Sequence, residues 1–277
     1  MFNRGFAIVG LAMGLTLGAL GQSQNTAASL FDKGMNSLTG SGLGPNDLNA
    51  MDYFRRAAEL GYGPAQVVVG YYVENGVITS HGQPVGTMTP QEPAQAVDWY
   101  KKAAQQGDRL AYWLLGRMYF TGSGVPQDLS TAETWLQKAA AQGDPFGQYL
   151  LGEVKLQRSD YAKAGELFRK AAMQGLPQAQ AELGLLLKDG KGVNVDKAEA
   201  YLWLLMSFNA GNQAVAEPLR ELQAQLGRVQ VEQAQSRSRE MDQTMARALV
   251  AKGCTGWPGE FAAVPTAPPP DLQSFCR

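Results

Sequence analysis

The side chains most able to do chemistry are few in this chain. Among 277 residues there is one histidine, His81, and there are two cysteines, Cys254 and Cys276. A Ser–His–Asp triad would have to use His81, and no G-x-S-x-G elbow accompanies it. One histidine and two distant cysteines cannot supply the four N/S ligands of a zinc site. "GSG" at Gly122–Gly124 and "GKG" at Gly190–Gly192 look like fragments of a phosphate loop, but G-x-x-x-x-G-K-[ST] is absent. Both triplets stand at the same place in a repeating pattern and read as turns. Carboxylates are spread along the whole chain, and no spacing singles out a catalytic pair. Neither an enzyme, nor a cofactor, nor a metal is expected.

The cysteines are better explained as a bridge. An even pair in an oxidising compartment reads as a disulfide, Cys254–Cys276, closing a Pro-rich loop. In the chain-entropy model that closure is worth roughly 3 kcal/mol. The compartment is read from the N-terminus. Arg4 precedes an uncharged apolar run, Phe6 to Leu20, and Ala19-Leu20-Gly21 puts small residues before a cut at Gln22. Residues 1–21 are therefore expected to be a signal peptide, and the mature chain periplasmic or secreted, with no membrane span after cleavage. An uncleaved anchor is the alternative.

Charge offers one further pattern. Net charge is -1 and pI about 5.9, which gives no footprint for nucleic acid. Arg55 and Arg56, Lys101 and Lys102, Lys138, and Arg169 and Lys170 nevertheless recur at one helical position. Stacked, they would form a basic stripe for an acidic peptide or polymer. Asp52–Arg56, Asp98–Lys102 and Glu166–Lys170 are equally i,i+4 pairs that support the helix itself, so a self-neutralised face is the other reading.

The elements that would position these residues come from an internal repeat. "AAELG", "AAQQG", "AAAQG", "AAMQG" and a degenerate "SFNAG" end at Gly61, Gly107, Gly143, Gly175 and Gly211, with spacings of 46, 36, 32 and 36 residues. In one unit Ala96, Trp99, Tyr100, Ala103 and Ala104 follow i, i+3, i+4, i+7, i+8, one apolar helix face (helix A). Gly107 ends it, Asp108 caps the next helix, and Ala111, Leu114, Leu115, Met118 and Tyr119 make a second apolar face (helix B). In helix B a glycine recurs at Gly70, Gly116, Gly152 and Gly184. It costs about 1 kcal/mol relative to Ala, so its repetition predicts helices too close for a Cβ. A single pair cannot bury both faces. Stacked pairs can, which predicts an all-α, right-handed α/α superhelical solenoid.

The pattern AxxWYxKAAxQGDxxAxxxLGxMYxxGxGVxxD, matched nearly throughout by Ala96–Asp128, resembles the Sel1-like repeat, a relative of the tetratricopeptide repeat. The resemblance covers roughly Ser29 to Leu226. It implies a half-repeat at 29–47 and repeats near 50–93, 94–128, 129–160, 161–196 and 197–226, within a solenoid spanning 22–226. The third repeat departs twice: Gly147 replaces the usual Ala, and "LQRSD" replaces the G-x-G-V turn. The first carries an insertion, Glu74–Pro93, a loop by composition that contains His81. Helix A of the fifth copy, "AEAYLWLLMSFNAG", is apolar nearly all round and needs cover from Pro218–Lys252, where Met241, Met245 and Leu249 share a side. Residues 227–277 are read as this capping helix plus a stapled Pro-rich tail, which either only secures the terminus or lies over the binding surface.

Members of such a family usually bind proteins or peptides through a concave face lined by A helices. The resemblance thus implies an exported, non-catalytic scaffold with an unidentified protein or peptide partner. Candidate contacts are Asp52, Arg55, Arg56, Asp98, Lys101, Lys102, Gln137, Lys138, Arg169 and Lys170, plus the insertion. A second reading is an envelope module that binds peptidoglycan or assists cell-wall enzymes. A third, a beta-lactamase-like hydrolase, is suggested by Cys-rich members. Those carry a disulfide in each repeat, and this chain has no Cys in its repeats, so that carry-over fails.

Overall fold

A computed structural model describes residues 23–37, 47–75, 77–80, 83–87 and 92–251. The signal segment, His81, both cysteines and the tail from residue 252 lie outside the described residues. The chain divides into two compact units, Met1–Ala111 and Tyr112–Arg277.

In the first unit, helix α1 (residues 23–37) precedes α2 (Asp47–Glu59), α3 (Gly63–Asn75), β1 (Val77–Ser80), β2 (Gln83–Thr87) and α4 (Pro93–Gln105), and α5 (Arg109–Thr121) begins. The expected apolar face of α4 is the buried one: Ala96, Tyr100 and Ala103 are fully buried. Pro93 starts the helix where its missing N–H is harmless. Gly107 ends the turn at φ +85°, a conformation that a Cβ would strain. Asp108 Oδ1 then accepts the Ala111 N–H at 3.0 Å and caps α5.

The repeated glycines are contact points. A Cβ on Gly34 would stand 2.6 Å from the Phe54 ring, and one on Gly70 2.6 Å from the Tyr100 ring. A second tie runs along the helix ends. Gln66 donates to the Ala58 carbonyl at 3.1 Å and accepts from Gln106 Nε2 at 2.9 Å. The buried Tyr100 hydroxyl donates to Glu74 at 2.9 Å.

The insertion differs from expectation. Instead of a loop, its described residues form an antiparallel hairpin that pairs Val77 with Thr87, Thr79 with Pro84 and Ser80 with Gln83, irregular between Val77 and Thr79. The β-branched run Val77-Ile78-Thr79 favours extended backbone. A two-stranded sheet has two open edges, where Pro84 costs no ladder bond. Composition rich in Gly and Pro had masked this local preference.

The second unit contains the rest of α5, then α6 (Leu129–Ala141), α7 (Pro145–Gln157), α8 (Tyr161–Ala172), α9 (Pro177–Asp189), α10 (Lys197–Asn209), a 3-10 turn (Gln213–Val215), α11 (Ala216–Gln225) and α12 (Arg228–Ala251). Asp128, Asp144, Asp160 and Asp196 each cap the following helix through a side-chain oxygen. Here the glycine interlock repeats three times. A Cβ on Gly116 would meet Leu136 at 2.5 Å, on Gly152 the Phe168 ring at 2.5 Å, and on Gly184 Leu204 at 2.7 Å. Both departures of the third repeat have reasons. A Cβ on Gly147 would lie 2.5 Å from the Ala139 methyl, and Ser159, at φ 60°, makes the left-handed turn that glycine makes elsewhere.

A buried hydrophobic cluster runs from α8 to α12. Tyr201, Leu202, Trp203 and Leu204 are consecutive and all buried, so α10 has no solvent face. Helix α12 lies on it. Val231, Ala234, Ser238, Met241 and Met245 alternate by three and four residues along one α12 stripe. Ala234 and Ser238 of that stripe are buried, and Val231, Met241 and Met245 pack partly buried against the cluster. The side chain of Leu249 lies outside the described residues.

Candidate interaction surfaces

The basic residues singled out by sequence are mostly engaged close to home. In the first unit Arg56 pairs with Asp52 at 3.4 Å, both exposed. Lys102 lies over its own helix's Trp99 ring, 4.1 Å from the centroid, and so the expected Asp98–Lys102 pair is replaced by a cation–π contact. Arg55 and Asp98 are exposed and Lys101 is half-buried.

In the second unit Lys138 stands 4.5 Å from the Trp135 centroid and 5.5 Å from that of Tyr112, the two rings stacked 5.9 Å apart. Gln137 donates to Glu133 at 3.2 Å. Arg169 reaches forward to α10 and pairs with Glu199 at 2.5 Å, while Lys170 and Glu166 are exposed and make no ion pair among the described residues. Among the described residues, no two cations of the ladder share a partner.

Two acids on this helix-A side are fully used. Glu133 of α6 accepts from both Lys155 of α7 and Arg158, the residue just past the end of α7. The hydrogen bond from Lys155 holds its carboxyl below the ordinary carboxylate range despite some burial, and Arg158 adds to the effect. Burial opposes the charge on Glu199, but Arg169, the Trp203 N–H and the nearby Arg237 together bring its carboxyl below the ordinary range.

The helix-B side is different, and sequence reasoning missed it. Phe146, Tyr149 and Glu153 follow i, i+3, i+7 and share a face of α7. Trp113 of α5 stacks on Phe146, ring centroids 5.1 Å apart. Phe146, Tyr149, Leu156 and Leu185 are partly buried apolar surface against the core. Into this surface two carboxyls are set, Glu153 on α7 and Glu182 on α9, and neither has a salt bridge or hydrogen bond among the described residues. The Glu153 Oε1 atom is buried without a partner, and so is the indole N–H of Trp113, a residue only 2% exposed. Burial, with the charge of Glu182 added, pushes the Glu153 carboxyl up to about 7. Burial likewise raises Glu182. It raises the Tyr149 hydroxyl too, and the charges of Glu153 and Glu182 push it further.

A signal for this face existed. Glu153 directly follows the interlocking Gly152, where the neighbouring repeats carry Arg117 and Leu185. An acid at this place occurs once among these repeats, so periodicity does not mark it.

Among the described residues no group of His, Cys, Asp and Glu could hold a metal ion, and no helix is long and apolar enough to cross a membrane.

The model of the Sel1 repeat matches the chain at residues 17–62, 64–108, 109–144, 145–176 and 177–212. These units run from a B helix to the following A helix, half a repeat out of phase with the reading from sequence, so their first helices are α1, α3, α5, α7 and α9. An uncharacterized protein of Neisseria meningitidis serogroup B is 41% identical over 63 residues, 23% of this chain and 14% of that protein. Among solved structures, a protective antigen present in uropathogenic Escherichia coli strains, displaying an SLR fold, aligns with TM-score 0.64 and 31% identity over 93% of this chain. This chain spans only 54% of that antigen. A Sel1 repeat protein from Oxalobacter formigenes aligns with TM-score 0.63 and 25% identity, over 81% of this chain and 89% of that one. Sel1 repeat proteins are generally protein-interaction scaffolds and typically non-catalytic. Helix pairs locked by glycine, the five matched repeats and these neighbours agree: the chain belongs to the Sel1 repeat family, an all-helical repeat array of the class whose helix pairs wind into a right-handed superhelix.

Proposed function

We propose that this protein is exported and serves as a non-catalytic scaffold that holds a segment of another protein on the first-helix face of its second unit, formed by α5, α7 and α9. The observation that carries this reading is the contrast between the two sides. The half-buried acids of the helix-A side, Glu133 and Glu199, are answered by cations within the chain, whereas among the described residues the Trp113 N–H and the Glu153 and Glu182 carboxyls on the other side, partly or wholly buried, have no hydrogen-bond or ion-pair partner. Partnerless groups cost stability, and a bound segment would relieve that cost.

A second reading keeps the basic stripe, since Arg55, Lys101 and Lys170 make no ion pair among the described residues. Capture from periplasmic extract separates the two. Charge reversal at Lys101, Lys102 and Lys170 is expected to leave the captured proteins unchanged, and Glu153→Lys to remove them. The opposite result moves the binding surface to the stripe. Export rests on the apolar run from Phe6 to Leu20 and is tested by fractionation with N-terminal sequencing, where a mature chain starting near Gln22 is expected. Reduction of the purified protein should then shift its mass by the two hydrogens of one Cys254–Cys276 bridge.

A further inference from the structure

The scaffold reading leaves the chemistry of the partner open, and the α7–α9 face constrains it. Two carboxyls, Glu153 on α7 and Glu182 on α9, are both raised by burial, and the charge of Glu182 further opposes the ionisation of Glu153. The Tyr149 hydroxyl lies on the same face of α7 as Glu153. None of the three has a salt bridge or hydrogen bond among the described residues. The cation one repeat earlier, Arg117, is placed over the Trp113 ring at 5.7 Å. The two acids therefore lie among partly buried apolar surface with no counter-charge among the described residues.

A second observation is independent of the acids. Trp113 is 2% exposed and its indole N–H has no acceptor. Its ring lies against Phe146, one turn before Tyr149 on the same α7 face. An unused donor is thus buried beneath the face at one end, and unused acceptors stand at the other. A peptide supplies the complement to the carboxyls, a cationic side chain, together with apolar side chains for the surface between. The surface around them, Phe146 and Leu185 included, is apolar.

Resting on the scaffold reading above, we infer that Glu153 and Glu182, with Tyr149 beside them, receive an arginine or lysine side chain of the bound protein segment, flanked by apolar residues that lie on Phe146 and Leu185. A guanidinium can donate to two carboxylates at once. It would also turn two mutually repelling acids into a neutralised group, as Lys155 and Arg158 do for Glu133 on the other side.

The test is an array of extended nonapeptides with apolar flanks and a central Arg, Lys, citrulline or Glu, probed with the purified full chain. Arg and Lys peptides are expected to bind, and citrulline, of the same shape without the charge, to bind about tenfold more weakly. The double variant Glu153→Gln/Glu182→Gln should lose about tenfold on Arg peptides and no longer distinguish Arg from citrulline. Glu217→Gln on α11 should change nothing, and circular dichroism of each variant checks the fold. Equal binding of Arg and citrulline, or an unchanged Arg preference in the double variant, overturns the inference. Peptide binding that is lost on charge reversal of Lys101, Lys102 and Lys170, and kept in the double variant, overturns this site while leaving the scaffold reading intact. Capture of proteins from extract with no basic-peptide preference does the same.

Discussion

Four glutamates of the second unit, Glu133, Glu199, Glu153 and Glu182, are all partly withdrawn from water, yet their carboxyls move in opposite directions. Glu133 and Glu199 fall below the ordinary range because Lys155, Arg158 and Arg169 stand against them. Glu153 and Glu182 rise because burial is not answered by any cation among the described residues. The first pair ties α6 to α7 and α8 to α10. The second pair ties nothing. Partial burial alone therefore does not mark a functional acid. A half-buried acid that a neighbouring helix has answered belongs to the fold, and one left unanswered is available for something outside the chain.

Both sides hang on the same glycine interlock, and breaking it should give the largest effect. Gly152→Val would drive a branched side chain into the Phe168 ring, 2.5 Å from where its Cβ must sit. A loss of about 3 kcal/mol is expected, read as a lower denaturation midpoint. A midpoint within experimental error of the parent would mean that the helices can part freely, and that neither face is held in the form described.

The comparison itself is sharpened by substituting one acid from each side. Glu133→Gln leaves Lys155 and Arg158 without their acceptor, and a loss of about 1 kcal/mol is expected near neutral pH. Because the Glu133 carboxyl is held low when folded, that contribution is present above the ordinary carboxylate range and fades as pH falls through the folded value. Glu153→Gln should act the other way. The folded carboxyl titrates at about 7 and the unfolded one near 4.5, so between these values the unfolded chain gives up its proton first and parent stability falls as pH rises. The variant escapes this. Its melting temperature should exceed the parent's by a margin that grows from about pH 4.5 to 7 and stays level above. A margin of the opposite sign would show that Glu153 is already answered inside the chain.

Smaller effects are expected where one repeat lacks what another has. Gln66 and Gln148 accept from Gln106 and Gln174 at the end of the following A helix, at 2.9 and 2.8 Å. Gln180, 3% exposed, has an unpartnered Oε1 because Ala210 occupies the donor's position. Ala210→Gln should restore the bracket and add about 1 kcal/mol, visible in chemical denaturation. Ser159→Gly should add about 0.5 kcal/mol by relieving a left-handed residue. If neither changes stability, equivalence between repeats is a poor guide to energy in this chain.

What the sequence determined by itself was the repeating unit. Helix faces, the turn at Gly107, the Asp108 cap and the close approach at Gly70, Gly116, Gly152 and Gly184 are all local or periodic, and a pattern stamped several times is legible because each copy checks the others. The need of α10 for a cover was legible for the same reason, since a helix apolar all round cannot face water. The hairpin at Val77–Thr87 was not, because it occurs once and its strand preference is carried by three residues among glycines and prolines. The partners of charges were decided by the tertiary structure alone. Sequence spacing offered Asp98 to Lys102 and Glu166 to Lys170, but Lys102 found Trp99 and Arg169 found Glu199 on a later helix. Whether an acid is answered depends on which side chains other helices bring within a few ångströms. That is why the answered Glu133 and the unanswered Glu153 could be told apart only once the helices were packed.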